Sequence, residues 1–245
     1  MTISSFIGKI EWMTLSLPNR EDVYPGLCAY CCFNLEAYHN ILYHRIDVPL
    51  SAKLSRSVPK RRAEFLAGRY LARHVLEKLG INRFTLLSGQ DRSPVWPENL
   101  CGSLSHNKDS VLCAIHRRSE VFSGVGVDVE TLMNGDRADS LWPGIIDEEE
   151  HQWLQGVDMP FFQALTLSFS AKESLFKALY PTVQHYFNFL DAQMTVLNQT
   201  QQIFELKLQT TLTPEFPAGR RFKGVYRMIP DKVTTFLCLE SPEIA

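Results

Sequence analysis

The chain has 245 residues, 45% of them hydrophobic and 21% charged, with 25 Lys and Arg against 27 Asp and Glu and a formal net charge of −2. That composition is globular, and the length suits one large domain or two small ones, with enough interior to stand without a metal or disulfide staple. The near-neutral balance argues against general nucleic-acid binding, which relies on a strongly basic surface to neutralise phosphates. No apolar run approaches the ~20 residues of a membrane span. The start, MTISSFIGKIEWMTLSL, has no basic stretch ahead of a continuous apolar one. A secretion signal is therefore not expected, and a cytoplasmic location is.

The first expected strand covers 27–35. Its Cys28, Cys31 and Cys32 read as small buried hydrophobes of a reducing compartment, because His39 and His44 follow too soon for a zinc-finger spacing. A helix is expected over 59–79, started by Ser57 and Pro59 and stopped at Gly80. Ala63, Leu66, Ala67, Tyr70, Leu71, His74 and Val75 make its buried stripe, and Arg62, Arg69 and Arg73, with Arg61 nearby, a basic side. Strands follow at 84–87, 101–105 and 111–115, with GQDRSPVWPENL as a loop.

A second cycle begins with a strand at 124–130, where Val125, Val127 and Val129 share one face and Gly126, Asp128 and Glu130 the other. A short helix is expected at 147–154 and a longer one at 161–179. Within the latter, LTLSFS (165–170) alternates like a strand, but the following AKESLFKAL favours helix. Strands are expected at 187–197, 202–208, 221–228 and 233–239. Strand 27–35 and helix 59–79 recur as strand 124–130 and helix 161–179, which suggests duplication. The expectation is an α+β fold of two similar halves, 1–120 and 121–245, packed as one body around a shared cleft.

Asp128 and Glu130 place two carboxylates on one strand face, where mutual repulsion favours a cation between them, magnesium being a natural one. Glu173 and Lys177 share a helix face, as an ordinary i,i+4 pair would; Glu173 could equally belong to a capping box with Ser170. Ser105 and His106 end a strand, where both could reach a phosphate. The arginines offer planar, multi-donor forks for the same group. No GxxxxGK[ST], GxGxxG or GxSxG sequence is present, so P-loop, dinucleotide-binding and nucleophile-elbow readings have no support.

The order KRRAEFLAGRYLAR, GQDRSPVWP, GSLSHN, GVDVE, IIDEEE, FSAKESLFKAL resembles the 4′-phosphopantetheinyl transferases, in particular the siderophore branch of their Sfp-like group. The resemblance covers about half of the chain, from Lys60 to Leu179, and departs modestly at Phe169, where many members have Trp, and at Asn107. It implies an Sfp-like monomer of two α+β halves. The implied reaction moves the phosphopantetheine arm of coenzyme A to a serine of an apo carrier protein, peptidyl, aryl or acyl, and releases 3′,5′-ADP. By the same resemblance Asp128, Glu130 and Glu173 hold magnesium, or manganese, and Glu150 matches an acidic position near the metal. Arg61, Arg69, Arg92, Ser105 and His106 contact coenzyme A phosphates, and helical geometry leaves Arg62 as an alternative to Arg61. Asp128, Glu173 and Lys177 carry the chemistry. The alternatives are a non-catalytic relative that binds coenzyme A or a carrier, a magnesium-dependent nucleotide phosphohydrolase using the same carboxylates, and, weakest, a nucleic-acid binder using the arginine helix.

Overall fold

The first long helix forms at Pro59–Lys78 in the computed structural model, which describes residues 2–18, 22–89 and 92–240. The chain divides into two units, residues 1–14 with 25–118, and residues 15–24 with 119–245. Helices and antiparallel sheet occur in both, so the fold is α+β.

In the first unit, strands Glu11–Met13, Leu27–Cys32, Ser110–Arg117 and Leu100–His106 lie side by side in that order, all antiparallel. The Pro59–Lys78 helix packs on this sheet. Pro59 occupies its first turn, where the missing N–H is no loss. The residue before it, Val58, is the cap, without a side-chain bond, so Ser57 does not cap the helix. Gly80, at φ 85°, turns the chain away at the other end. Ala63, Leu66, Ala67, Leu71 and Val75 are buried as expected and are joined by Ala72 and Leu76. Each Leu or Val so buried contributes about 1.5–3 kcal/mol. Tyr70 and His74 stay half-buried with their rings 4.3 Å apart.

Three expectations for this unit need correction. The strand expected at 27–35 stops at Cys32 and gives way to a short 3-10 turn, Leu35–Ala37, where Asn34 accepts the Glu36 N–H. Cys28 and Cys31 are buried, but Cys32 is exposed at the strand end. Residues 84–87 form no strand: the Leu87 carbonyl accepts from the Val95 N–H and from Arg69, and Ser88 bridges to Pro94 across a turn. Gln90 and Asp91 of that turn lie outside the described residues.

In the second unit, strands Phe122–Thr131, Lys232–Glu240, Arg221–Ile229, Ile203–Leu208 and Ala192–Asn198 form one antiparallel sheet in that order. The helix Phe161–Val183 crosses it, and Glu148–Gln155 begins at Asp147, whose carboxylate accepts the Glu150 N–H. Ser16–Leu17 and Asp22–Val23 pair in a separate hairpin, and Tyr24 sets its ring edge-on to Phe236 at 4.8 Å. The stretch 165–170 is helical: Leu165, Thr166, Leu167, Ser168 and Ser170 are all fully buried. A helix buried on every side keeps no amphipathic period. The strand expected at 187–197 begins only at Ala192, because Asn188 and Asp191 bond to each other's backbone and wind Phe189–Asp191 into a 3-10 turn. Short helices at Ile3–Phe6, Ile41–Ile46, Ala52–Ser55 and Gly135–Leu141 were not expected; at four to seven residues they carry too little periodicity to read.

The closest approach in the second unit is at Gly126. A Cβ there would lie 1.7 Å from the Ser174 carbonyl oxygen, and one on Gly124 would lie 2.9 Å from that of Ala178. On the facing helix side stand Ser170, Ser174 and Ala178, small residues one turn apart and buried. Gly126→Ala should therefore cost about 1–3 kcal/mol or more through overpacking against rigid backbone. Gly135→Ala, whose Cβ meets nothing within 4 Å, should change little. Thermal unfolding followed by circular dichroism compares the two.

Candidate active site

The Gly126 contact sets strand Phe122–Thr131 against helix Phe161–Val183 so that their polar residues meet. Asp128, 2% exposed, follows Gly126 on the same strand face. Its Oδ1 lies 2.6 Å from Lys177 Nζ, and its Oδ2 accepts from Ser170 Oγ at 2.8 Å. Lys177 Nζ also reaches the Val127 carbonyl at 3.3 Å and Glu173 Oε2 at 3.9 Å. Ser170 is thus mid-helix with its hydroxyl on Asp128, which removes the capping-box reading of Glu173.

Three carboxylates share this one ammonium. Burial pushes Glu130 up to about 8, with Asp128 adding to the rise, Lys177 opposing it and Glu173 adding further. Glu173 is raised as well, by burial first, against Lys177 and with Asp128 adding. Burial alone would pull Lys177 down, but Asp128 and Glu173 outweigh it and hold the ammonium above its ordinary value. Oxygen donors with surplus negative charge are the chemistry a hard divalent ion takes. The distances are those of an ammonium-centred cluster: among the described residues, no three acidic, imidazole or thiol groups are drawn together as metal ligands.

Glu150 lies in a different setting. It is buried, accepting from Ser168 Oγ at 2.6 Å and from Lys172 Nζ at 2.7 Å, while Lys172 also donates to the Ile145 carbonyl at 2.8 Å. Successive residues of the Lys172-Glu173-Ser174 run thus serve three ends: a buried ion pair, the carboxylate cluster and the strand contact. Glu173 also lines a cavity of about 310 Å³ with Phe176, Phe187 and Phe189. Phe169, which stands in place of the commoner Trp, rests on Phe189 with ring centres 5.2 Å apart.

The first unit holds a basic cluster. Arg61 Nη1 lies 3.0 Å from His106 Nε2. Arginine can only donate, so Nε2 accepts and the ring proton sits on Nδ1, 3.7 Å from Glu64 Oε2. Glu64 is raised by burial, against Lys60 and Arg61, and was not picked out from the sequence, although it stands three residues from Arg61 on one helix face. Arg62 donates instead to the Ser55 carbonyl at 3.2 Å, so Arg61 is the one beside His106.

Arg69, expected on the basic side of its helix as a phosphate contact, is 6% exposed. Its guanidinium lies 4.3 Å over the Phe65 ring and donates to Ser88 Oγ at 2.8 Å, while its Nε has no partner. Burial, with Arg61 adding, brings it down to about 10. A buried guanidinium with an unmet donor and a second cation for neighbour fits a phosphate. Arg92 is exposed at φ 70° in the turn that follows Ser88. Ser105 is buried while His106 is half-exposed, and the alternation of strand Leu100–His106 sends them to opposite faces. Asn107 closes the turn, its Oδ1 accepting the N–H groups of Asp109 and Ser110 at 3.2 and 2.9 Å.

Residues 50–116 match the 4′-phosphopantetheinyl transferase N-terminal domain, and residues 124–222 match the 4′-phosphopantetheinyl transferase superfamily. Enterobactin synthase component D of Salmonella typhi is 41% identical over 168 residues, 69% of this chain and 68% of that protein. The protein of the same description from Escherichia coli O157:H7 is 37% identical over 156 residues, 64% of this chain and 72% of that one. The 4′-phosphopantetheinyl transferase Svp of Streptomyces mobaraensis is 35% identical over 148 residues, 60% and 59% of the two chains. The chain therefore belongs to the 4′-phosphopantetheinyl transferase superfamily of enzymes. Within it, the resemblance is to the enterobactin synthase component D type. No helix among the described residues is long and apolar enough to cross a membrane.

Lys172→Met should cost about 3–5 kcal/mol at neutral pH, because it strands the Glu150 carboxylate in the interior. Burial holds Glu150 above its usual 4.5. A raised carboxyl favours the folded state below its unfolded value and loses that contribution as pH rises. The penalty should thus shrink as pH falls toward that value, and Lys172→Met with Glu150→Leu should lose less than Lys172→Met alone. Urea unfolding across pH measures all three.

Proposed function

We propose that this chain transfers the 4′-phosphopantetheine arm of coenzyme A to a serine of an apo carrier protein, releasing 3′,5′-ADP, in siderophore or other non-ribosomal peptide synthesis. The observation that carries this is the cluster of Asp128, Glu130 and Glu173 around Lys177, on the GVDVE and KES segments. The pathway is taken from the relatives named for enterobactin synthesis.

Asp128, Glu130 and Glu173 would hold a magnesium or manganese ion, with Lys177 beside them. Bound there, the ion would supply Lewis-acid neutralisation of the diphosphate. Glu173 takes the proton of the attacking serine. The serine oxygen bonds to the phosphorus that carries the pantetheine arm as the bond to the second phosphate breaks. Lys177, held charged, neutralises or protonates the departing 3′,5′-ADP. Arg61, Arg69 and His106 bind and orient phosphate oxygens, the positioning part of phosphoryl-type transfer. Arg92 is assigned the same role from its exposed turn. Ser105 precedes His106 but is buried on the other strand face. The aromatic side of the cavity beside Glu173 gives the serine-bearing segment an apolar wall to approach.

Intact-protein mass spectrometry of an apo peptidyl or aryl carrier domain tests the reading. The expected result is a gain of one phosphopantetheine arm in the presence of coenzyme A and magnesium, prevented by EDTA. Asp128→Ala and Glu173→Ala should abolish the gain, whereas Arg69→Ala should chiefly raise KM for coenzyme A. Full turnover in either carboxylate variant would sink the assignment.

A further inference from the structure

Behind Asp128 lies a group of hydroxyls that the mechanism above does not use. Thr235 sits directly opposite Asp128 in the pairing of strands Phe122–Thr131 and Lys232–Glu240. Ser170 and Ser174 reach it from helix Phe161–Val183, and all three are at most 1% exposed. Ser174 Oγ is 2.7 Å from Thr235 Oγ1, and Thr235 Oγ1 is 2.9 Å from both Ser170 Oγ and the Ser170 carbonyl. Ser170 Oγ is 2.8 Å from Asp128 Oδ2.

The polarity of this chain follows from proton counting. An ionised carboxylate only accepts, so the single proton of Ser170 goes to Asp128, and Ser170 Oγ faces Thr235 as an acceptor. The Thr235 proton then points to Ser170, either to its hydroxyl or to its carbonyl. The Ser174 proton goes to Thr235, at Oγ1 or at the carbonyl oxygen 3.3 Å away. With the Thr235 and Ser174 protons on the neighbouring hydroxyls, the dipoles align toward Asp128 and strengthen one another in a dry interior.

We propose that Thr235, with Ser170 and Ser174, is a positioning set for Asp128. It holds Oδ2 in one orientation, leaving Oδ1 toward Lys177 and the ligand face. This rests on the reading of Asp128 as a carboxylate of the reaction centre. The supporting hydroxyl comes from the last long strand, outside the two matched regions.

Thr235→Val keeps the shape and removes the hydroxyl, Thr235→Ser keeps the hydroxyl, and Ser174→Ala cuts the chain one link further back. Mn²⁺ binding without coenzyme A is read from the electron paramagnetic resonance of free Mn²⁺. kcat and KM for transfer, and Tm, are measured on the same full-length preparations. Thr235→Val is expected to bind Mn²⁺ about tenfold more weakly and to lose kcat by about as much, with KM for coenzyme A little changed. Thr235→Ser should restore both, and Ser174→Ala should fall between; if Thr235→Val does not fold, Ser174→Ala compared with wild type decides. Wild-type Mn²⁺ affinity and kcat in the hydroxyl-free variants, or a Thr235→Ser as impaired as Thr235→Val, would overturn the inference alone. A wild-type chain that neither binds Mn²⁺ nor transfers the arm would overturn the functional reading and this inference with it.

Discussion

The missing side chain of Gly126 lets the backbone of one helix come within touching distance of a strand, and the second unit is organised around that contact. A Cβ at Gly126 would overlap the Ser174 carbonyl. The helix answers with Ser170, Ser174 and Ala178 on the touching side, so no bulky group props the elements apart. At that separation the next strand residue on the same face, Asp128, meets Lys177 from one side and Ser170 from below. Side chains held by such a backbone contact have little room to shift.

Charge burial then separates scaffold from site. Glu150 and Lys172 are buried one against one, with Ser168 and the Ile145 carbonyl taking up remaining donors and acceptors. That pair is internally balanced and calls for no ligand. In the Asp128 cluster three carboxylates gather at the Lys177 ammonium, and burial first, then Asp128, brings Glu130 up to about 8 against Lys177 and Arg137. In the first unit the imbalance has the opposite sign. Arg69 is buried over Phe65 with an unmet Nε and is pressed by Arg61.

The long elements were legible in the sequence because each repeats a burial pattern many times. The helix Pro59–Lys78 and the strands Leu100–His106, Ser110–Arg117 and Phe122–Thr131 lie within a few residues of expectation. Short or locally capped segments were not. Residues 187–191 carry apolar and aromatic groups suited to a strand, yet two side chains, Asn188 and Asp191, redirect the backbone through bonds that periodicity does not register. Residues 84–87 lose their strand because the Leu87 carbonyl and the Ser88 hydroxyl serve Arg69, a contact with no local signature.

The sequence by itself determined the α+β class and the transferase family, because these depend on residue identity, order and spacing. It also placed Asp128 with Glu130, and Glu173 with Lys177, since strand and helix periods fix which neighbours share a face. Only the tertiary structure joined Asp128 to Lys177, sent Glu150 to Lys172 instead of to the carboxylate cluster, put Arg61 rather than Arg62 beside His106, and brought Thr235 behind Asp128. Each of those pairings spans elements far apart in the chain. Their partners are chosen by how closely two backbones pack, a property of Gly126 and the helix facing it together.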